Sequence, residues 1–367
     1  MSPTQLTARF ATPDEVASWD ELVAANPGGG EFLSARAFAE TKRTVGWRPR
    51  YVVFTADRAV HSVALVLERR TPPLGRLWYL PRGPAALDAS SLHAHTVALR
   101  ELAARERDVF AVTLEPPIQI DPDAEDPAGE QARLAAAAGL RARPAIQGNA
   151  TTAVVRLDRD DEALLASFDK KCRNMIRRAE RDGVIVRRAD ANPETFAHMH
   201  RLMRLVGGGA ADLALRPQSY SETLWSGFAS AGQGQFTAID VDGTPAVMGF
   251  MIRIGDRAFY KDGGSERDRV TPGMSNLLIW EMMRDARAAG ARELDLFGVA
   301  PAWATSTAEH PAYGLGLFKL SFARERTTFA GAFDLVVRPA RYALWSRFGE
   351  RIAQRLHRRR YRDLGLY

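Results

Sequence analysis

The sequence predicts a mixed α/β fold in which one helix-and-sheet plan is laid down twice. Two observations lead there. The length of 367 residues exceeds the usual size of one domain, so two domains of roughly 150 to 200 residues are expected. The apolar pattern also switches between helical and strand periodicity in a similar order in each half. No heptad run of coiled-coil length interrupts the plan.

Helical spacing opens the first half in 13-PDEVASWDELVAAN-26 and 34-SARAFAETKRTVG-46. Strands 50-RYVVFTAD-57 and 59-AVHSVALVLERR-70 follow, rich in β-branched and aromatic residues, and PPLG turns the chain into the strand RLWYLPRGP. Helix 90-SSLHAHTVALRELAARER-107 then leads into strand 109-VFAVTLEPP-117. A loop and an alanine-rich helix in 121–142 end this half, and 151-TTAVVRLD-158 begins the next.

The second half repeats the plan. A basic helix in 164-LLASFDKKCRNMIRRAERDG-183 sets Leu164, Phe168, Cys172, Met175 and Ala179 on one face and Lys170, Arg177 and Arg181 on the other. Strand 184-VIVRRA-189 and a helix near 193-PETFAHMHRLMRLV-206 come next. Strands are expected in 235-QFTAIDVDG-243 and 245-PAVMGFMIRIGDRAFYKDGGS-265, a helix in 274-MSNLLIWEMMRDARAAG-290, and a strand in 292-RELDLFG-298.

Apolar residues at 46% and charged residues at 26% describe an ordinary globular protein, and no window has the roughly 18 apolar residues of a membrane span. The N-terminus carries acids and no apolar core, so no signal peptide is expected and the chain is placed in the cytoplasm. The lone Cys172 permits no internal disulfide and falls on the apolar stripe; seven dispersed histidines, His198 and His200 included, show no ligand spacing, so no metal is expected. A net charge of +6 suits a polyanionic partner, and it is concentrated in the basic helix and in 338-RPARYALWSRFGERIAQRLHRRRYRD-363. That tail has nine arginines against two acids, with Leu344, Phe348, Ile352 and Leu356 four apart. It reads as a basic amphipathic helix, either packed by its apolar stripe or placed against phosphates of RNA or an anionic membrane.

One residue stands out in 314-GLGLFKLSFARE-325. Lys319 is a single cation in an apolar run, which is either a stem lying along the surface with its ammonium in water or a functional charge.

The segment 259-FYKDGGSERDRVTPGMSNLLIWEMMRDARAAGARELDLFGV-299 has the strand, loop, helix, strand order of a GNAT acyltransferase. Such enzymes approach the CoA pyrophosphate with glycines in an R-x-x-G-x-G/A loop; here the loop has Gly273 alone, and Pro272 removes an amide donor. A donor other than a CoA thioester is therefore expected, and no cofactor. Five stretches in order then carry a resemblance: the helix ending in Lys42 before Gly46-Trp47; YLPRGP; the strand ending in Glu115-Pro116; KKCRNMIRRAERDGVIVRR; and FYKDGGS through ELDLFGV to GLGLFKLSF. The set resembles the Fem family (FemABX), aminoacyltransferases that use aminoacyl-tRNA to build peptidoglycan cross-bridges, and it covers nearly the whole chain.

The resemblance implies two tandem GNAT-like domains: 1–150 on the acceptor side, completed by the tail 331–367, and 151–330. The family's Phe-Lys motif matches Phe318 and Lys319, with Lys319 as the cation for the ester oxyanion and Phe318 and Phe322 lowering the local dielectric or stacking on the tRNA's terminal adenine. Its acceptor positions map to Lys42, Arg216, Tyr220 and Tyr260, with Arg216 and Tyr220 four apart and expected on one helix face, and its strand-end acid to Glu115, which would orient the amine or take its proton. Lys170, Arg177 and Arg181 would meet tRNA. His61, His93 and His310 gain no role. The function implied is transfer of an amino acid from aminoacyl-tRNA to an amine of a peptidoglycan precursor, UDP-linked or lipid II, in the cytoplasm with an option of peripheral contact at the inner membrane face. Alternatives are transfer to a small secondary-metabolite amine, a CoA-dependent GNAT N-acyltransferase, or a non-catalytic RNA- or membrane-binding module.

Overall fold

The structure, a computed structural model, describes residues 5–121, 124, 126–148, 150–207, 215–266, 268, 270–300, 313–323, 325–363 and 365–367. His310 and Arg269 lie outside the described residues. The chain divides into two compact units, Met1–Ala150 with Thr328–Tyr367, and Thr151–Thr327.

The elements up to residue 150 are β1 (Thr7–Phe10), α1 (Pro13–Ala17), α2 (Trp19–Ala24), α3 (Arg36–Thr44), β2 (Arg48–Ala56), β3 (Ala59–Thr71), β4 (Gly75–Leu80), α4 (Ala89–Arg105), β5 (Val109–Leu114), β6 (Gln119–Ile120), α5 (Pro127–Ala138) and β7 (Arg141–Arg143). Residues 151–327 form β8 (Thr151–Arg156), α6 (Asp161–Ser167), α7 (Lys170–Arg181), β9 (Arg187–Ala189), α8 (Pro193–Gly207), α9 (Gln218–Ser230), β10 (Gly234–Val241), β11 (Thr244–Ile254), β12 (Arg257–Ser265), α10 (Met274–Ala288), β13 (Glu293–Gly298) and α11 (Tyr313–Leu320). β14 (Arg326–Phe329), β15 (Ala332–Val336), α12 (Pro339–Leu344) and α13 (Glu350–Tyr361) follow, with a single π turn, Trp345–Gly349, between the last two.

In the first unit the sheet runs β1-β2-β3-β4-β5-β15-β7, with β4 and β5 parallel and the other pairs antiparallel. The late strand β15 pairs Phe333 with Leu114, so residues after 328 complete a sheet begun before 120. Val52, Phe54, Val66, Trp78, Leu99 and Leu335 form its core, each large side chain contributing about 1.5–3 kcal/mol by leaving water. Helix starts follow local chemistry: Thr12 and Glu15 make a capping box, Asp88 caps α4, and Asp126 caps α5 ahead of Pro127.

The second unit has the strand run β8-β13-β12-β11-β10-β9, with α7 and α10 packed together on one core. Several expectations change in detail. The helix expected in 13–26 breaks at Ser18, and the basic helix breaks at Phe168–Asp169, where Phe168 turns into the core. Ile176, not Met175, takes the fully buried position on α7 beside Cys172 and Ala179. Only Arg187–Ala189 of the strand expected in 184–189 pairs, because β9 meets β10 through three residues alone. No helix among the described residues is long and apolar enough to cross a membrane.

Candidate functional site

Lys319 sits on α11 in the second unit, over a break in the neighbouring strand ladder. β13 pairs with β8 through Asp295, and the register shifts between Asp295 and Gly298. At that shift Phe297 has φ +61°, a left-handed conformation costly for an aromatic residue, about 1–3 kcal/mol. Buried Asp295 offsets the strain: its carboxylate accepts from the Thr152 hydroxyl and from the Phe297 amide at 2.7 Å. The bulge leaves the Gly298 carbonyl facing Lys319, whose Nζ donates to it at 3.1 Å. Lys319 is 7% exposed, so the ammonium does not lie in water as a surface-hugging lysine would. Burial pulls its pKa down to about 8, the Asp295 charge opposes that, and nearby Lys261 adds to it. At neutral pH Lys319 is a desolvated cation. Sequence reasoning missed Asp295 and the Phe297 bulge, for which ELDLFGV carries no local signal beyond Gly298.

Phe318 is half-buried and packs edge-on against Phe322 at 5.5 Å, which packs against Phe168 at 5.3 Å. Phe322 is therefore sealed in the core and cannot stack on a base, a correction to that expectation. The same segment ties down the basic helix: the Asp169 amide at the start of α7 donates to the Ser321 carbonyl at 2.9 Å. Lys170, Arg177 and Arg181 are all exposed on α7, opposite Cys172, whose thiol is buried with its pKa pushed up by that burial and so makes a poor nucleophile.

The helix expected to follow the loop at Gly273 is α10, but the glycine has another use. Gly273 caps α10 at φ +99°, and a Cβ there would come 2.2 Å from the Met175 carbonyl of α7. Its freedom serves helix-on-helix packing at the very end a diphosphate would approach.

The remaining positions in this unit fall at α9 and β12. Arg216 precedes α9, so it does not share a helix face with Tyr220; instead its guanidinium stacks 4.9 Å from the Tyr220 ring centroid. The 263–265 stretch ends the strand expected through residue 265, pairing with Val247–Gly249. Its glycines permit close approach. A Cβ on Gly263 would meet the Tyr260 hydroxyl at 1.7 Å, and one on Gly264 the α8 backbone at Leu202 at 2.5 Å. Tyr260 thus lies back across its own strand, its pKa raised by burial and then by the Asp262 carboxylate, which Trp225 and Lys261 hold at 2.8 and 2.9 Å.

Lys42 and Glu115 belong to the first unit. Lys42, on α3, is 1% exposed with Nζ 5.3 Å from the Phe38 ring centroid. Glu115 follows β5, and both its oxygens are taken: Oε1 accepts from the Ile146 and Gln147 amides at 2.7 and 3.0 Å, Oε2 from the Tyr79 hydroxyl at 2.5 Å. Gln147 Nε2 donates to that hydroxyl at 2.7 Å. A carboxylate held by three donors pins the 146–147 backbone to the sheet, a structural role for Glu115. Among the described residues no group of three or more His, Cys, Asp or Glu is arranged to hold a metal.

Comparison with known proteins agrees with this architecture. The acetyltransferase (GNAT) domain family matches residues 166–305, and the FemAB family matches residues 15–205. Lipid II:glycine glycyltransferase of Staphylococcus aureus is 28% identical over 231 residues, 61% of this chain and 53% of that protein. The chain thus spans about half the length of the curated relatives it matches. The crystal structure of FemX superposes with a TM-score of 0.77 at 19% identity, over 93% of this chain and 99% of that one. A conserved Bacteroides thetaiotaomicron protein of unknown function gives 0.53 at 13% identity, over 90% and 99%. These two likenesses concern the fold alone, a mixed α/β architecture with two sheets, and the GNAT match falls within the second unit. With a family match over more than half of its 367 residues, the chain belongs to the FemAB family.

Proposed function

We propose that the protein is an aminoacyltransferase that moves an amino acid from aminoacyl-tRNA to an amine of a peptidoglycan precursor in the cytoplasm. The observation that carries this is Lys319, a buried cation on the Gly298 carbonyl beside the left-handed Phe297 and, among the described residues, without a side-chain acid in hydrogen-bonding contact. An amine attacking the tRNA ester forms a C–N bond, places negative charge on the carbonyl oxygen, and then breaks the ester C–O bond, the amine's proton leaving as the ribose hydroxyl departs. The ester is already activated, so what the protein supplies is orientation and a fixed positive charge, worth more in a dry setting than in water. No protein nucleophile is needed, and buried Cys172 offers none.

Support for a donor other than a CoA thioester comes from Gly273, committed to packing against Met175. For tRNA the exposed Lys170, Arg177 and Arg181 supply phosphate contacts and the half-buried Phe318 an aromatic edge. For the acceptor we assign Arg216, Tyr220 and Tyr260, with Lys42 shaping the first unit's contribution from within α3. The name of the staphylococcal relative, a lipid II:glycine glycyltransferase, supports a peptidoglycan precursor as acceptor. The test is incubation with an aminoacylated total tRNA pool and UDP-linked or lipid-linked precursor, reading product mass. A precursor heavier by one amino acid residue is expected. No mass gain on either precursor would overturn the acceptor assignment.

A further inference from the structure

The C-terminal helical segment of the first unit leaves its apolar stripe uncovered. Leu344, Phe348, Ile352 and Leu356 are 54–59% exposed, although Tyr342, Trp345 and His357 on the other side are buried. The helix is held firmly by that buried side: Trp345 packs 5.7 Å from the Phe110 ring, Tyr342 donates to Asp334 at 2.9 Å, and His357 lies 3.1 Å from Arg69. Four-residue steps drift about 40° each around a straight α-helix. The π turn at Trp345–Gly349 is wider and counters that drift, so the stripe stays on one side across the break. Beneath it lies a groove of about 430 Å³ walled by Leu74, Leu344, Trp345, Phe348, Ile352 and Leu356, with exposed Pro72 and Pro73 at its rim.

Charge tells what covers this face. Arg347, Arg351, Arg355, Arg358, Arg359, Arg360 and Arg362 are all exposed around the stripe. The two acids of the segment are spent internally, Glu350 on Arg143 at 2.7 Å and on the Tyr367 hydroxyl at 2.8 Å, and Asp363 buried facing His357. A row of large apolar side chains this exposed is unusual on a soluble surface. RNA would satisfy the arginines, but leucine and isoleucine offer a base no stacking face. A second copy set face to face would oppose one arginine array with another. An anionic bilayer satisfies both parts, phosphates for the guanidinium forks and acyl chains for the stripe.

We propose that α12, the π turn and α13 form a membrane-docking surface that lies in the interface of an anionic phospholipid bilayer, with an acyl chain entering the groove under Phe348. This goes beyond the transfer reading and stands apart from it, since binding is measured with neither substrate present. The test is co-sedimentation of the full chain with phosphatidylcholine vesicles with and without phosphatidylglycerol. The parent is expected to bind the anionic vesicles at least about tenfold more tightly, each arginine neutralised in R351Q/R355Q/R358Q/R359Q lowering that affinity about fivefold. L344S/F348S/I352S/L356S alters only exposed positions and is expected to lose binding to both vesicle types; the single Phe348→Glu, checked by its melting curve, guards against misfolding of the multiple variant. Three results would overturn the proposal: no binding of the parent to anionic vesicles; apolar variants that bind as the parent does, which marks generic polycation adhesion such as RNA would share; or a parent dimer dissolved by the serine variant with no vesicle binding.

Discussion

Lys319→Met separates a working cation from a packing lysine, because the two roles give different signs for stability and activity taken together. Burial holds the Lys319 pKa at about 8 against an ordinary 10.5. At about 1.4 kcal/mol per pH unit, keeping the charge there costs roughly 3 kcal/mol at neutral pH. The folded value lies below the unfolded one, so this cost is fully present below about pH 8 and fades as the pH rises towards 10.5. Methionine keeps the stem and removes the charge, but leaves the Gly298 carbonyl without its partner, a loss of about 1 kcal/mol. The net expectation is a gain of about 2 kcal/mol at pH 7, or roughly 4 to 8 °C in the melting of a unit this size. Turnover is expected to fall by about 10²–10³, the usual effect of removing one oxyanion donor. Scanning calorimetry at pH 7 and pH 10, with single-turnover transfer on the same samples, reads both signs; the stabilisation should shrink at pH 10. Parental turnover would refute the reasoning. So would a variant that melts below the parent and loses activity only in proportion to its unfolded fraction.

A pH–rate profile at saturating substrates should fall above about pH 8 as Lys319 deprotonates, and Lys319→Arg should move that fall upward; an unmoved limb belongs to another group. Glu115→Gln places an amide opposite three donors and should lower the first unit's stability by about 1–3 kcal/mol, read by urea melting, while kcat per folded molecule holds. A hundredfold loss of kcat at unchanged stability would restore the catalytic reading. Arg216→Ala should raise the KM for the precursor several-fold or more with kcat little changed, the pattern of a contact made equally in ground and transition states. Charge reversal at Lys170, Arg177 and Arg181 should raise the KM for aminoacyl-tRNA and flatten its salt dependence; precursor KM should stay put.

How much could be read beforehand depended on whether the determining contact was local. Strands β2, β3 and β5 and helices α4 and α10 follow from periodicity, and Cys172 was legible as a core residue because its neighbours repeat at helical spacing. Lys319 stood out through its apolar surroundings, but its partner Gly298 lies on another element and the left-handed Phe297 has no sequence signature. The structural contacts of Glu115 were not legible because its partners, the Ile146 and Gln147 amides, are more than 30 residues away. The Arg216 assignment had a local warning: the residue before a proline avoids helical geometry, and Pro217 opens α9. Gly263 and Gly264 carried one too, since paired glycines inside a strand pattern mark close approach. The tail showed its stripe plainly, yet periodicity does not say whether a stripe is covered, and the π turn that keeps it aligned is invisible to a helical template.

The identity of the donor decides the proposed function, and a choice between two donors tests it. In a single-turnover experiment with excess enzyme, the peptidoglycan precursor is offered a labelled aminoacyl-tRNA in one arm and a labelled acyl-CoA in the other, with parent and Lys319→Met side by side. Label is expected on the precursor amine from the tRNA arm only, at a rate that drops about 10²–10³ in the variant. Label from the CoA arm, or equal rates for parent and variant, would contradict it.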